Sequence, residues 1–262
     1  MATMNDTMIQ LSGVSKSYGD VAVLDRVDLE VKRGEFLVLL GASGCGKSTL
    51  LNLMAGFITP NTGTIAINGR TVTDVTAACG MVFQQYALFP WRTVQENVEF
   101  GLKMRGMSKQ ERAPIARKYI EMVGLKAAAE KYPHALSGGM KQRVSIARVL
   151  ANDPDVMLFD EPFAALDAMT RQVLQDQLLS IYEQSGKTIV FITHSIDEAL
   201  TLSTRMAVMG SKPGRIVQDI HNDLPHPRSA DVQLSPRFVE LKRSIWERVQ
   251  EEVTRSMELA SE

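Results

Sequence analysis

The chain has 262 residues, 45% hydrophobic and 23% charged, the make-up of a globular protein with a full core, which excludes disorder and fibrous folds. Lys plus Arg number 29 against 30 Asp plus Glu, a formal net charge of -1, so no global field draws the chain to DNA or anionic lipid. Two cysteines, Cys45 and Cys79, exclude a disulfide framework and fit a reducing compartment.

The length predicts one α/β domain, or one domain with a subdomain. Residues 1–8 carry neither a basic nor an apolar region, so no signal peptide is expected. Apolar runs predict strands at 9–14, 27–31 and 36–41, a helix at 47–55, and strands at 63–67 and 80–84. The early strands adjoin without helices between them, which predicts an antiparallel sheet in the N-terminal third. Between Gln85 and His134 strand signals cease. Helices at 94–104, 109–123 and 138–151 define a helical subdomain over about 88–150. A strand at 156–160, a helix at 168–184, a strand at 188–193, a helix at 196–203 and strands at 206–209 and 215–220 follow, completing a domain over 8–225. The alternation implies a mixed, largely parallel sheet flanked by helices. Leu224-Pro-His-Pro-Arg228 reads as a linker. Beyond it Phe238, Leu241, Ile245, Val249 and Val253 form the stripe of an amphipathic docking helix within 226–262. No apolar run reaches the ~18–20 residues that span a bilayer.

Gly41-Ala-Ser-Gly-Cys-Gly-Lys-Ser-Thr49 matches G-x-x-x-x-G-K-[ST] between a predicted strand and a predicted helix. In such a loop, Gly41, Ala42, Ser43, Gly44, Cys45 and Gly46 curl so that successive N–H groups face phosphate oxygens. Lys47 reaches the β- and γ-phosphates and the Ser48 hydroxyl binds magnesium, with Thr49 beside them. Val156-Met-Leu-Phe-Asp160 is a buried strand ending in a carboxylate, where Asp160 is placed for magnesium and Glu161 to polarise an attacking water. His194 and Gln84 end strands on the side where open α/β sheets bind ligands. Singly, a strand-end histidine is more often structural than catalytic and the glutamine is an equally weak signal, but their joint occurrence on one side strengthens both. Leu136-Ser-Gly-Gly-Met-Lys-Gln-Arg143 opens a helix and reads either as a cap or as a second anion site supplied to another subunit.

Taken together, these motifs closely resemble the ATP-binding subunit of an ATP-binding cassette (ABC) transporter over roughly residues 8–220. The resemblance implies a P-loop NTPase fold with a mixed sheet core, an N-terminal antiparallel β part and an inserted helical subdomain. It implies ATP and magnesium as ligands, with Tyr18 stacked on adenine and Ser48, Gln84 and Asp160 serving the metal. Glu161 is then the catalytic glutamate and His194 the switch histidine, with Gln84 the glutamine that senses the γ-phosphate. Ser137, Gly138 and Gly139 form the signature that caps ATP from the second copy, and Asp167 belongs to the loop Ala165–Asp167. Two departures stand out: Met140 where glutamine is commonest, and Ala165 where serine is frequent. Neither removes a catalytic group.

Three stretches, Phe83–Trp91, Glu161–Thr170 and Ser211–Ile216, resemble the nitrate, sulfonate and taurine importer branch. The chain stops soon after the core, without the regulatory domain of many sugar importers. That branch implies a homodimer at the cytoplasmic face of a bacterial inner membrane, an integral permease and, indirectly, a periplasmic solute-binding protein, with no nucleic acid. Phe89, Pro90, Trp91, Phe100 and Met104 are the candidate surface for a permease helix, with Phe100 and Met104 equally readable as core. Soluble cassettes acting on DNA or ribosomes are the alternative. The DNA-repair type carries a long coiled coil between loop and signature, and the ribosomal type carries two cassettes. Neither feature is present in this sequence.

Overall fold

The computed structural model describes residues 6–210, 213–225, 228 and 230–261. In chain order it holds β1 (Thr7–Tyr18), β2 (Val21–Lys32), β3 (Phe36–Gly41), α1 (Lys47–Met54), β4 (Thr62–Ile67), β5 (Arg70–Thr71) and β6 (Cys79–Val82). Next come α2 (Val94–Met104), α3 (Lys109–Met122), α4 (Gly138–Ala151), β7 (Val156–Asp160), α5 (Ala168–Ser185) and β8 (Thr188–Thr193). α6 (Ile196–Leu202), β9 (Arg205–Gly210), β10 (Arg215–His221), α7 (Ala230–Gln233) and α8 (Pro236–Ser261) complete the described elements. Contacts divide them between two compact units, Met1–Thr76 with Lys187–Glu262, and Ala77–Gly186.

In the first unit β3 and β8 are buried at every position, because unbroken apolar runs suit strands covered on both faces. β3 pairs in parallel with β8 and with β9, and β10 joins β9 antiparallel. A second sheet runs β2-β1-β4-β5, all antiparallel. Its hairpin strands are 12 residues each, twice as long as the apolar runs at 9–14 and 27–31 indicate. Pairing continues through the polar residues Lys16, Ser17 and Tyr18, whose backbone groups bond regardless of side chain. α8 buries Phe238, Leu241 and Ile245, packing on α6 and β9. Within the proline-rich stretch Leu224 and Arg228 are buried, and Arg228 donates to the carbonyls of Thr201 and Ser203. Residues 1–5, 211–212, 226–227, 229 and 262 of the segments read above lie outside the described residues.

In the second unit β6 and β7 pair in parallel, and α2, α3 and α4 pack on one another. Among the described residues, 88–150 holds these helices and 3₁₀ turns at Lys126–Ala128 and Pro133–Ala135, without a strand. α2 and α3 each open on a complete capping box, Thr93 with Glu96 and Ser108 with Glu111, which explains why their starts are sharp. The loop before α2 is fixed by Asn97, fully buried. Its Oδ1 accepts from Phe89 N at 2.9 Å, and its Nδ2 donates to the carbonyls of Phe89, Arg92 and Thr93 at 3.2, 3.1 and 2.9 Å. The Phe89 ring lies 4.5 Å from Phe100 and 5.9 Å from Trp91, centroid to centroid. Phe89 and Phe100 are half-buried, whereas Pro90, Met104 and Trp91, itself 70% exposed, face solvent.

Asn97→Ala takes this buried amide away from the carbonyls of Phe89, Arg92 and Thr93 and from the Phe89 N–H. It is expected to lower unfolding free energy by about 2–4 kcal/mol in urea titration. A loss below about 0.5 kcal/mol would show that the loop holds without the amide.

Candidate functional site

β3 ends at Gly41 and α1 begins at Lys47, so residues 41–46 must turn the chain within one short loop. Gly46, the N-cap of α1, has φ 97°, and a Cβ there would lie 2.6 Å from Leu24 Cδ2. Only glycine satisfies both demands. At Gly41 a Cβ would lie 2.6 Å from the Met209 carbonyl oxygen. Lys47 folds back into the loop: its Nζ donates to the carbonyls of Gly41 and Ala42, both at 2.8 Å, and the residue is only 5% exposed. No carboxylate of the described residues pairs with it. The positive charge is balanced by these carbonyl dipoles and by a contact to Cys45 Sγ at 3.8 Å, and the N–H groups opening α1 add to the attraction for an anion. Ser43, Gly44 and Ser48 are exposed and Ala42 and Thr49 half-buried, while Cys45, Gly46 and Lys47 form the inner side of the loop.

Gly214 backs this loop, a role that no motif assigned to it. Its N–H donates to Val23 O at 2.8 Å, its carbonyl accepts from Asp25 N at 3.0 Å, and a Cβ would stand 2.1 Å from Cys45 O. It falls in the importer-like stretch Ser211–Ile216, and its local signal, the Pro-Gly pair at 213–214, reads only as a turn. The same unit brings His194 to the loop, because the register Leu40↔Thr193 sets His194 beside Gly41 at the carboxyl ends of the paired strands β3 and β8. Its exposed position is held from both sides. Thr193 Oγ1 donates to Glu198 Oε2 at 2.6 Å and accepts from Ser195 N at 3.0 Å, and Ser195 caps α6. Tyr18 stands exposed at the end of β1, paired with Val21, on the hairpin whose Val23 and Leu24 touch the loop.

The second unit gathers the other residues. The register Val82↔Phe159 brings Gln84 and Asp160 to one edge of the β6–β7 pair. Gln84 is exposed, and Asp160 and Glu161 are half-buried. Glu161 has φ 42°, a left-handed conformation that costs a non-glycine residue on the order of 1–3 kcal/mol and clusters at functional positions. Ser137 caps α4, its hydroxyl accepting from Met140 N at 3.3 Å. Asp167 caps α5 by accepting from Thr170 N at 3.0 Å, a bond that holds its carboxyl below the usual range. The two helix starts approach closely, since a Cβ on Gly139 would lie 2.6 Å from Thr170 Cγ2 and one on Gly138 3.1 Å from Tyr86 Oη.

The chain matches the family model described as ABC transporter over residues 24–164. It is 49% identical over 237 residues to an uncharacterized ABC transporter ATP-binding protein of Methanocaldococcus jannaschii, covering 90% of this chain and 88% of the relative. It is 45% identical over 240 residues to the taurine import ATP-binding protein TauB of Roseobacter denitrificans, covering 88% and 89%. Among solved structures it is similar to the dimeric, post-hydrolysis state of the ATP-binding cassette MJ0796 bound to ADP and Pi. The TM-score is 0.73 at 35% identity, over 82% of this chain and 98% of that one.

Burial pushes the Cys45 thiol above its ordinary range, and burial together with Asp155 pushes Cys79 up to about 12. Both thiols are therefore expected to react with iodoacetamide at pH 7.5 about tenfold or more slowly than free cysteine. Forced labelling at Cys45 is expected to abolish nucleotide binding. Binding retained after complete labelling there would remove the loop from the site.

Proposed function

This chain belongs to the ABC transporter family as an ATP-binding subunit, an ATPase, and from that premise we propose that two copies close around ATP and drive solute import through a separate membrane permease. The observation that carries this reading is the buried Lys47 ammonium, held by loop carbonyls with no carboxylate beside it. A nucleotide's phosphates supply the matching negative charge. The loop from Gly41 to Thr49 surrounds them, and Tyr18 stacks on adenine. Ser137, Gly138 and Gly139 of one copy cap the nucleotide held by the other, with Asp167 at the same closure.

Hydrolysis is phosphoryl transfer to water, so the protein's task is positioning and charge stabilisation. Glu161 accepts the proton of the attacking water, and its strained backbone supports a carboxylate fixed in one orientation. Gln84 and His194 position the γ-phosphate. Ser48, Gln84 and Asp160 would hold magnesium, which would supply positive charge to neutralise the phosphates. The donor chemistry supports that choice: hydroxyl, amide and carboxylate oxygens are hard ligands. Among the described residues no cluster of three or more His, Cys, Asp or Glu forms a metal cage, which suits a cation carried in on phosphates.

The import reading draws on the taurine import relative, and on the three stretches that resemble the nitrate, sulfonate and taurine branch. No described helix is long and apolar enough to cross a membrane, which supports a permease on another chain. The catalytic domain spans 8–225 with its helical subdomain at about 88–150, and 226–262 forms the linker and C-terminal helix. The subunit sits peripherally at the cytoplasmic face, as a homodimer, and a periplasmic binding protein delivers the solute.

Lys47→Ala is expected to weaken ATP binding by about tenfold or more in a fluorescence titration; unchanged affinity removes the role given to Lys47. Glu161→Gln is expected to keep ATP affinity, hydrolyse on the order of a hundredfold more slowly and accumulate as a dimer. Purified with ATP from gently solubilised membranes, that variant should co-elute with a stoichiometric polytopic protein identified by mass spectrometry. Recovery from the soluble fraction with ribosomes or DNA would overturn the transport reading and leave the ATPase chemistry intact.

A further inference from the structure

Gln142 is fully buried on α4, yet neither its Oε1 nor its Nε2 has a hydrogen-bond partner among the described residues. Buried amides in native folds are nearly always paired, because an unpaired one gives up its hydration for nothing. Its position on the helix says where the amide is aimed. Gln142 follows Gly138 by four residues and Gly139 by three, so all three share one face. A helical side chain leans toward its own N terminus, which carries the amide back over the turn that holds the two glycines.

The surroundings of that turn are given by what side chains there would strike. A Cβ on Gly138 would meet Tyr86 Oη at 3.1 Å and Leu166 Cδ2 at 3.6 Å, and one on Gly139 would meet Thr170 Cγ2 at 2.6 Å. Tyr86 is two residues beyond Gln84, and Leu166 lies in the segment from Glu161 to Asp167. Arginines hold the main chain on both sides of this turn. Arg148 of α4 donates to Ala87 O at 2.6 Å and Tyr86 O at 3.2 Å, and Arg171 of α5 donates to Leu166 O at 2.9 Å. The uncharged amide of Gln142 is thus buried where the signature turn meets the two segments that carry Gln84 and Glu161.

We propose that Gln142 is a positioning residue for ATP hydrolysis, its amide bonding the main chain of segment 161–167 in the hydrolytic state and so linking the placement of Glu161 to the turn of Ser137. The inference rests on the role of Glu161 given above. A contact made only in the hydrolytic state explains why the amide is kept although it weakens the resting fold. Ser145, whose Oγ is likewise buried without a partner, lies one turn farther from these segments and has no such role.

The test compares Gln142→Met and Gln142→Leu, which keep the volume and delete the amide, with Ser145→Ala, Glu161→Gln and the parent. For each, kcat, KM for ATP and Tm are measured. Both Gln142 variants are expected to keep or raise Tm, with kcat down about tenfold or more and KM within about twofold of the parent. Ser145→Ala is expected to keep kcat within about twofold. Parent-like kcat in the Gln142 variants overturns the proposal. So does a fall in Tm beside the loss of kcat, since the amide then serves the resting fold. An equal loss of kcat in Ser145→Ala also overturns it, by assigning the effect to the helix face. Failure of the Glu161 assignment shows separately, as unimpaired hydrolysis by Glu161→Gln.

Discussion

A buried ammonium without a carboxylate is the constraint on which the first unit depends. Removing such a charge from water is costing several kcal/mol unless other groups solvate it, and here the carbonyls of Gly41 and Ala42 do so. Those carbonyls point inward only while the loop stays curled. The curl in turn requires Gly46 in a left-handed conformation and close support from Leu24, Met209 and Gly214. The order of β3 between β8 and β9 places one of these supports, and the β1–β2 hairpin places another. The shape of this loop is thus set chiefly by backbone, and side chains contribute by refusing it any other shape.

The second unit uses helix caps and strain to similar effect. Ser137 and Asp167 each spend a side-chain oxygen on the first turn of a helix, so the two helix starts are rigid where they approach. Glu161 is held at a positive φ directly after β7, and β7 is buried along nearly its whole length. The strand's packing is what can oppose such strain. Rigid strand, strained corner and capped helix follow one another within a dozen residues.

Much of this was legible because the signals are local. β3, β7, β8, α2 and α4 begin and end where apolar runs, caps and glycines place them. The loop at 41–49 could be read because its strand, turn and helix are contiguous. The hairpin strands were read at half their length, since pairing through Lys16 and Ser17 is backbone chemistry that leaves no mark in hydropathy. β5, with two residues, is too short to show a period. The position of His194 beside Gly41 depends on strand register, and the positive φ of Glu161 on tertiary packing. Gly214 and Gln142 were invisible for the same reason. A close approach and a missing hydrogen bond exist only once distant segments have met.

The support that Gly214 gives to Cys45 also sets an order in time. The two residues are separated by about 170 positions, and at elongation rates of about 5–20 residues per second roughly 10–30 s pass between their synthesis. Through that interval the nascent loop lacks one wall, and Lys47 has no finished enclosure to enter. On the ribosome, then, the loop at 41–46 is among the first segments made and among the last to gain all of its support.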